Sequence, residues 1–277
     1  IWTQGSPRIE ETIYWFNLLI DTTLPICGNA AQRPQGQISN DGPKNIVDSV
    51  DYICSRVWAD DNGHNRAGMV LVQDQRVFAA RDVMKADARP GGYVATGGNG
   101  GILGAAGHDG SPVLNYLPAT RHTYQSEVNI TQLPDQVLGV RRTEDGLTTV
   151  PVAVKTADGD LVEDALPKVA IVKDGSYLAD DFEVDPSREV DLIALIESRL
   201  DHAPLAGVIV EGLSPYGTMN SMARQLLMLK AVRCGMPVVR VGRGNTEGFT
   251  PVYEFFISGS NLTSTKARLL LMACLMK

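Results

Sequence analysis

Short runs of apolar, β-branched residues alternate with helical patterns along most of this chain, and that alternation restricts its fold more than any other feature. Gly68-Met69-Val70-Leu71-Val72, Val169-Ala170-Ile171-Val172, Gly207-Val208-Ile209-Val210 and Pro237-Val238-Val239-Arg240-Val241 are strand-length and apolar almost throughout. Such a strand has no polar side to give to water, so it needs cover on both faces. Helical spacing runs from Met222 to Arg233 and from Thr263 towards Lys277. Strands alternating with helices imply right-handed crossovers and a mostly parallel sheet. In such sheets ligands bind at the carboxyl ends of strands. Attention therefore falls on the loops beginning at Gly5, Gly28, Val210 and Val241.

The first half follows the same rule. Ile1-Trp2-Thr3-Gln4-Gly5 reads as the end of a buried strand, which leads us to expect further residues upstream. Glu10 to Ile20 places Ile13, Phe16 and Ile20 on one helical face, and Leu24 to Gly28 reads as a short buried strand. Pro43 marks a helix start, after which Ile46, Val47, Val50 and Ile53 recur at helical spacing. Gln73-Asp74-Gln75-Arg76 leading into Val77-Phe78-Ala79-Ala80 reads as a hairpin. The glycines around Gly97-Gly98-Asn99-Gly100-Gly101 miss the G-x-G-x-x-G spacing and have neither a preceding strand nor a following helix, so they predict a flexible loop and not a phosphate cradle. Charged and turn-forming residues between Leu133 and Pro167, with a small hairpin over Val150 to Val162, mark a linker.

The expected architecture is thus α/β in two domains. Residues 1–132 form a doubly wound, mostly parallel N-terminal domain, 133–167 the linker, and 168–277 a smaller C-terminal α/β domain. Thirty-two acidic residues against 25 basic ones, a net charge of −7, argue against nucleic acid or an anionic membrane as a partner. No run approaches the roughly 20 apolar residues that a spanning helix needs. Cys27, Cys54, Cys234 and Cys274 lack metal or redox spacing and read as four buried thiols, which points weakly to a reducing, cytoplasmic compartment. His64, His108, His122 and His202 are scattered, so no metal site and no cofactor are expected.

Two places could carry chemistry. Ser6, in Thr3-Gln4-Gly5-Ser6-Pro7, stands at a strand-to-helix turn, where backbone N–H groups and the positive helix end suit an anion or oxyanion. The plainer reading is a serine that caps the helix. Lys85, in Arg81-Asp82-Val83-Met84-Lys85, follows the hairpin; a lysine acts as a base only where its surroundings favour the neutral amine, and most lysines are solvated surface charges.

These segments together resemble the asparaginase family. Thr3-Gln4-Gly5-Ser6-Pro7-Arg8-Ile9-Glu10-Glu11-Thr12 is similar to its Thr-His-Gly-Thr-Asp-Thr-x-Glu-Glu-Thr motif, and Arg33-Pro34 with Ser39-Asn40-Asp41-Gly42-Pro43-x-Asn45 to its Arg-Pro…Ser-x-Asp-Gly-Pro-x-Asn. Arg81-Asp82-Val83-x-Lys85, Arg121-His122-Thr123 and Ser258-Gly259-x-Asn261-Leu262…Lys266-Ala267-Arg268 correspond as well, in order along the chain. The resemblance implies a homotetramer built from tight dimers that hydrolyses a small amide to an acid and ammonia. It implies a threonine nucleophile on a Gly-Gly-Thr turn, which these residues do not contain, assisted by a Thr-Lys-Asp group. By position Ser6 and Lys85 carry the hydroxyl and the amine of that group, while Gly5, Pro7 and Ala31 fall at substrate-binding positions. Pro7 replaces the aspartate that grips the substrate's α-ammonium in the family, and Gln4 replaces a histidine. The expected substrate is therefore a small amide without an α-amino group. Tyr216 and Glu247 are candidates to complete a neighbouring subunit's site.

Overall fold

The structure, a computed structural model, describes residues 1–108, 111–175, 184–188, 194, 205–244, 248–249 and 255–277. Two of the candidates above, Glu247 and His202, lie outside the described residues. Contacts divide the chain into two compact units, Ile1–Thr131 and Gln132–Lys277.

In the first unit, β1 (Trp2–Thr3), β2 (Cys27–Asn29), β3 (Val70–Gln73), β4 (Arg76–Ala79), β7 (Ile102–Ala105) and β8 (Val113–Leu114) form one six-stranded sheet in the order β1-β2-β3-β4-β7-β8. The pairings from β1 to β3 are parallel, with Trp2 opposite Gly28 and Gly28 opposite Leu71, and the remaining pairs are antiparallel. A second pair, β5 (Val83–Lys85) and β6 (Tyr93–Ala95), is antiparallel. The period of two in β3 separates the faces. Val70 and Val72 join Cys27, Tyr52, Trp58 and Val77 in one cluster, whereas Leu71 joins Ile9, Phe78, Val83 and Tyr93 in another. Helix α1 (Ile9–Leu19) lies close over β2, for a Cβ on Gly28 would stand 3.3 Å from Ile13 Cδ1. Asp74 and Gln75 turn β3 into β4 with φ of 50° and 58°, the left-handed pair that a two-residue hairpin loop needs.

Several expectations are corrected. Strand β2 spans Cys27–Asn29, not Leu24 to Gly28; Leu24 is exposed, and Pro25 has no N–H to give to a ladder. Helix α2 (Gly42–Ser55) buries Asn45, Asp48, Ser49 and Tyr52, whereas Ile46, Val47 and Val50 face out. Asn45 turns inward because its side chain bonds Ala30 O and the Asp74 N–H, while Tyr52 and Ile53 pack into the apolar cluster beside it. Cys27 alone of the four thiols is buried, and burial pushes it up to about 11; Cys54 shares the outward face of α2 with Val47 and Val50, and Cys234 and Cys274 are exposed. A strand, β6, does precede the glycine-rich segment, which passes through a 3-10 turn over Asn99–Gly101 straight into β7.

In the second unit, β9 (Gln136–Thr143) and β10 (Gly146–Ala153) form an antiparallel hairpin of eight-residue strands that begins well before the expected one. The expected turn survives only as the bridge between Lys155 and Leu161. Strands β11 (Lys168–Lys173), β12 (Leu205–Gly212), β13 (Val238–Gly242) and β14 (Ile257–Ser258) make a parallel sheet. Val208 and Val210 pack with Met228 and Ala231 of α3 (Met222–Arg233), and Ile209 packs with Ala267 and Leu271 of α4 (Ser264–Cys274) on the other face. Ser221 and Thr263 cap these helices through their side-chain oxygens.

Leu71 is fully buried at the centre of the first sheet, so Leu71→Ala should cost about 2–5 kcal/mol in denaturant unfolding. Ile46→Ser on the outer face of α2 should stay within about 0.5 kcal/mol of wild type. Equal losses from the two would contradict the orientation of α2.

Candidate active site

Parallel pairing sets Thr3 beside Asn29, so the chain leaves β1 and β2 at the same end of the sheet. From β1 it passes through Gln4 and Gly5 into a turn over Ser6, Pro7 and Arg8, closed by a bond from Arg8 N–H to Gly5 O of 3.1 Å, and then enters α1. The helix N-cap is Arg8, without a side-chain cap, so Ser6 does not play the capping role that sequence alone favours. Its hydroxyl oxygen instead accepts a hydrogen bond of 2.6 Å from Lys85 Nζ.

Lys85 is the last residue of β5, and two relations place its backbone. Its backbone N–H donates to the Glu10 carboxylate in the first turn of α1. Across the β5–β6 pair its register partner is Tyr93. The Tyr93 hydroxyl donates to the main-chain carbonyl of Ser6 at 2.8 Å. Burial, reinforced by the negative charges of Glu10 and Asp41, pushes the Tyr93 phenol far above its ordinary range, so it keeps its proton at any pH the fold meets.

The neighbouring strand ends are joined by a chain of buried amides and hydroxyls. Thr3 Oγ1 donates to Asn29 Oδ1 at 2.9 Å, Asn29 Nδ2 to Ser49 Oγ at 3.1 Å, and Ser49 Oγ to Asn45 O at 2.7 Å. Asn45 Nδ2 donates to Ala30 O at 2.8 Å, and Ala30 N–H to Gln73 Oε1 at 3.3 Å. Gln73 Nε2 in turn reaches Asp41 Oδ2 at 2.8 Å. The Asp41 carboxylate also accepts the backbone N–H groups of Gln32 and Arg33, at 3.0 and 2.8 Å. Desolvation would raise the Asp41 carboxyl, but these two backbone donors and Asn45 outweigh it and hold the group below the ordinary carboxylate range. The loop bearing Ala31 is thereby fixed, and Gln32 Nε2 ties it to Asp87 O at 2.9 Å, just beyond β5.

Of the residues expected from sequence, Ser6 and Lys85 are brought into direct contact and are partly buried. Gly5 and Pro7 flank Ser6 and are exposed; Ala31, also exposed, stands on the adjoining strand-end loop. Gln4 is engaged by the Trp2 indole N–H at 3.2 Å. His122 lies against the Tyr14 ring, and burial, with the Arg81 charge adding to it, lowers its imidazole. Tyr216, in the second unit, packs edge-on to Phe249. Tyr93, Glu10, Asp41 and Gln73 are the residues that sequence reasoning passed over. Glu10 and Asp41 sat in segments singled out by the resemblance and Gln73 in the expected hairpin, but none of them was given a role, and Tyr93 lay in no such segment. Among the described residues no group of three or more His, Cys, Asp or Glu is placed to hold a metal, and no helix is long and apolar enough to cross a membrane.

Residues 1–96 match the family Asparaginase, N-terminal. The chain is 32% identical over 137 residues to the glutaminase-asparaginase of Acinetobacter glutaminasificans, an alignment covering 49% of this chain and 38% of that protein. It is 26% identical to L-asparaginase 2 of Escherichia coli over 99% of this chain and 65% of that one. The chain thus spans less than two thirds of the length of either relative. Its fold is shared with the crystal structure of a probable cytoplasmic L-asparaginase from Campylobacter jejuni, at a TM-score of 0.71 and 24% identity, over 99% of this chain and 72% of that one.

The Asp41 carboxyl is depressed in the folded state, so the stability it contributes is complete above the ordinary carboxylate value of about 4 and is lost as pH falls through the lower, folded value. An Asp41→Asn variant should therefore show a shallower loss of stability below about pH 4 than wild type, measured by urea unfolding across the acid range. Parallel acid limbs would show that the loop is held by other means.

Proposed function

We propose that this chain, a member of the asparaginase family, hydrolyses a small carboxamide to a carboxylic acid and ammonia, with Ser6 and Lys85 as its hydroxyl and amine. The observation that carries the reading is the 2.6 Å contact between Lys85 Nζ and Ser6 Oγ at the carboxyl end of a parallel strand, beside the start of α1. A nucleophile and a base within about 2.6–3.2 Å of each other are what general-base activation of a hydroxyl requires.

The chemistry is acyl transfer. When Lys85 is the free amine, its nitrogen takes a proton from Ser6 Oγ, or from an attacking hydroxyl that Ser6 positions, as the new C–O bond forms at the amide carbon. The carbonyl oxygen takes up the negative charge, and the backbone N–H groups of Gly5 and Ser6 are the donors that the turn offers to it, since Pro7 has none. Collapse of the tetrahedral species breaks the C–N bond, and the proton on Lys85 leaves with the nitrogen as ammonia. Water then releases the acid by the same proton path in reverse.

Pro7 shapes the substrate. An α-ammonium group bound here would meet a pyrrolidine ring where the family places a carboxylate, and would lose one charge-assisted bond of about 1.5–3 kcal/mol. That favours a small amide without an α-amino group over asparagine. The same reading includes a homo-oligomer, a tetramer as a dimer of dimers, and a cytoplasmic location. The second rests on the Campylobacter protein, a probable cytoplasmic L-asparaginase, and on four cysteines that form no disulfide.

Ammonia release by the full-length protein, with asparagine, glutamine and amides without the α-amino group as substrates, tests the reading. Lys85→Ala should lower the rate on the order of 10²–10⁴-fold. Pro7→Asp should move selectivity towards asparagine by roughly 10- to 100-fold, the worth of one charge-assisted bond of about 1.5–3 kcal/mol. Selectivity unchanged by Pro7→Asp, or asparagine preferred from the start, would leave an ordinary asparaginase. Binding of these compounds without ammonia release from any of them would show a binding protein and not an enzyme.

A further inference from the structure

Ser6 lies on a turn between β1 and α1, and Lys85 ends a strand of a separate two-stranded sheet, so nothing in the local chain of either holds the two together. A long lysine side chain loses on the order of 2 kcal/mol of rotamer freedom when it is held in one geometry, and the contact must be set by its surroundings. Two hydrogen bonds cross the gap. One runs from the Lys85 backbone N–H to Glu10 in α1, the other from the Tyr93 hydroxyl to the carbonyl of Ser6. Tyr93 stands directly opposite Lys85 in the β5–β6 register, and cross-strand partners project from the same face. The hairpin that sets this register closes tightly, since a Cβ on Gly92 would lie 2.5 Å from Asp87 O. The Tyr93 ring is packed with Ile9, Leu71, Phe78 and Val83, and the side chain is 1% exposed.

We propose that Tyr93 is a positioning residue of this site, whose hydroxyl holds the Ser6 main chain so that the Ser6 oxygen stays within reach of the lysine opposite it in register. The inference rests on the reading of Ser6 and Lys85 as the reacting pair. The ring supplies packing and the hydroxyl supplies placement, and Tyr93→Phe separates them by keeping the first and removing the second. Because the phenol keeps its proton, the strap persists through the neutral and alkaline range. Glu10 is the complementary strap, and Glu10→Gln retains an oxygen that can accept the Lys85 N–H.

The test compares wild type, Tyr93→Phe, Glu10→Gln and Lys85→Ala of the full-length protein in ammonia release from a small amide without an α-amino group, with thermal unfolding alongside. Tyr93→Phe should lower kcat about tenfold with KM unchanged and Tm within about 3 °C of wild type, and a kcat in Glu10→Gln that falls less than in Tyr93→Phe supports the reading of Glu10 as an oxygen acceptor for the Lys85 N–H, whereas an equal fall overturns it. Wild-type kcat in Tyr93→Phe beside an inactive Lys85→Ala overturns the positioning role alone, and so does a raised KM at unchanged kcat. A fully active Lys85→Ala overturns the reading of the pair and the positioning role with it.

Discussion

Polar side chains buried at the ends of strands are tolerated only when each finds a partner, and the first unit is organised around that requirement. Asn29, Asn45, Ser49 and Gln73 are all at most 1% exposed, yet they form a continuous set of bonds from Thr3 to Asp41. The set ties β1, β2 and β3 to α2 at the end where the loops leave the sheet. It accounts for a helix that turns Asn45 and Ser49 inward while Ile46, Val47 and Val50 face out. Removing one member would strand its neighbours without partners, at about 1–3 kcal/mol for each group left unpaired.

The functional consequence is a loop that does not need a ligand to order it. Asp41 gathers the N–H groups of Gln32 and Arg33, and Gln32 passes the connection to the strand that carries Lys85. Ser6 is reached from the other side, through the Tyr93 hydroxyl. Groups held in this way are in place without a ligand, which is the pre-organisation that the proposed reaction calls for.

Much of this fold was legible in the sequence. Strands apolar throughout and separated by helical patterns call for a covered parallel sheet, which the second unit's four-stranded sheet is throughout and the first unit's is only from β1 to β3; the positions of β3, the β3–β4 hairpin, β12, β13, α3 and α4 follow from periodicity. Periodicity reads apolar stripes, so it placed the wrong face of α2 inward, where polar groups are the ones with buried partners. Leu24 and three of the four cysteines were misplaced for a related reason, since an apolar residue near a strand or on a helix need not face the core. Ser6 and Lys85 were singled out through resemblance and not through chemistry, because a turn serine and a surface lysine are ordinary features; the structure adds their contact. Tyr93 and Glu10 act through hydrogen bonds between residues 75 and 87 positions apart, a relation that no local pattern encodes.

The central claim, that Ser6 and Lys85 form the reacting centre, is tested most directly by a crystal structure of the full-length protein with a small carboxylic acid, the product side of the proposed reaction. The account predicts a carboxylate oxygen within about 2.6–3.2 Å of both Ser6 Oγ and Lys85 Nζ, with the acid's chain lying beside Pro7. An acid bound elsewhere, with the Ser6–Lys85 contact intact and no ligand against it, would contradict it.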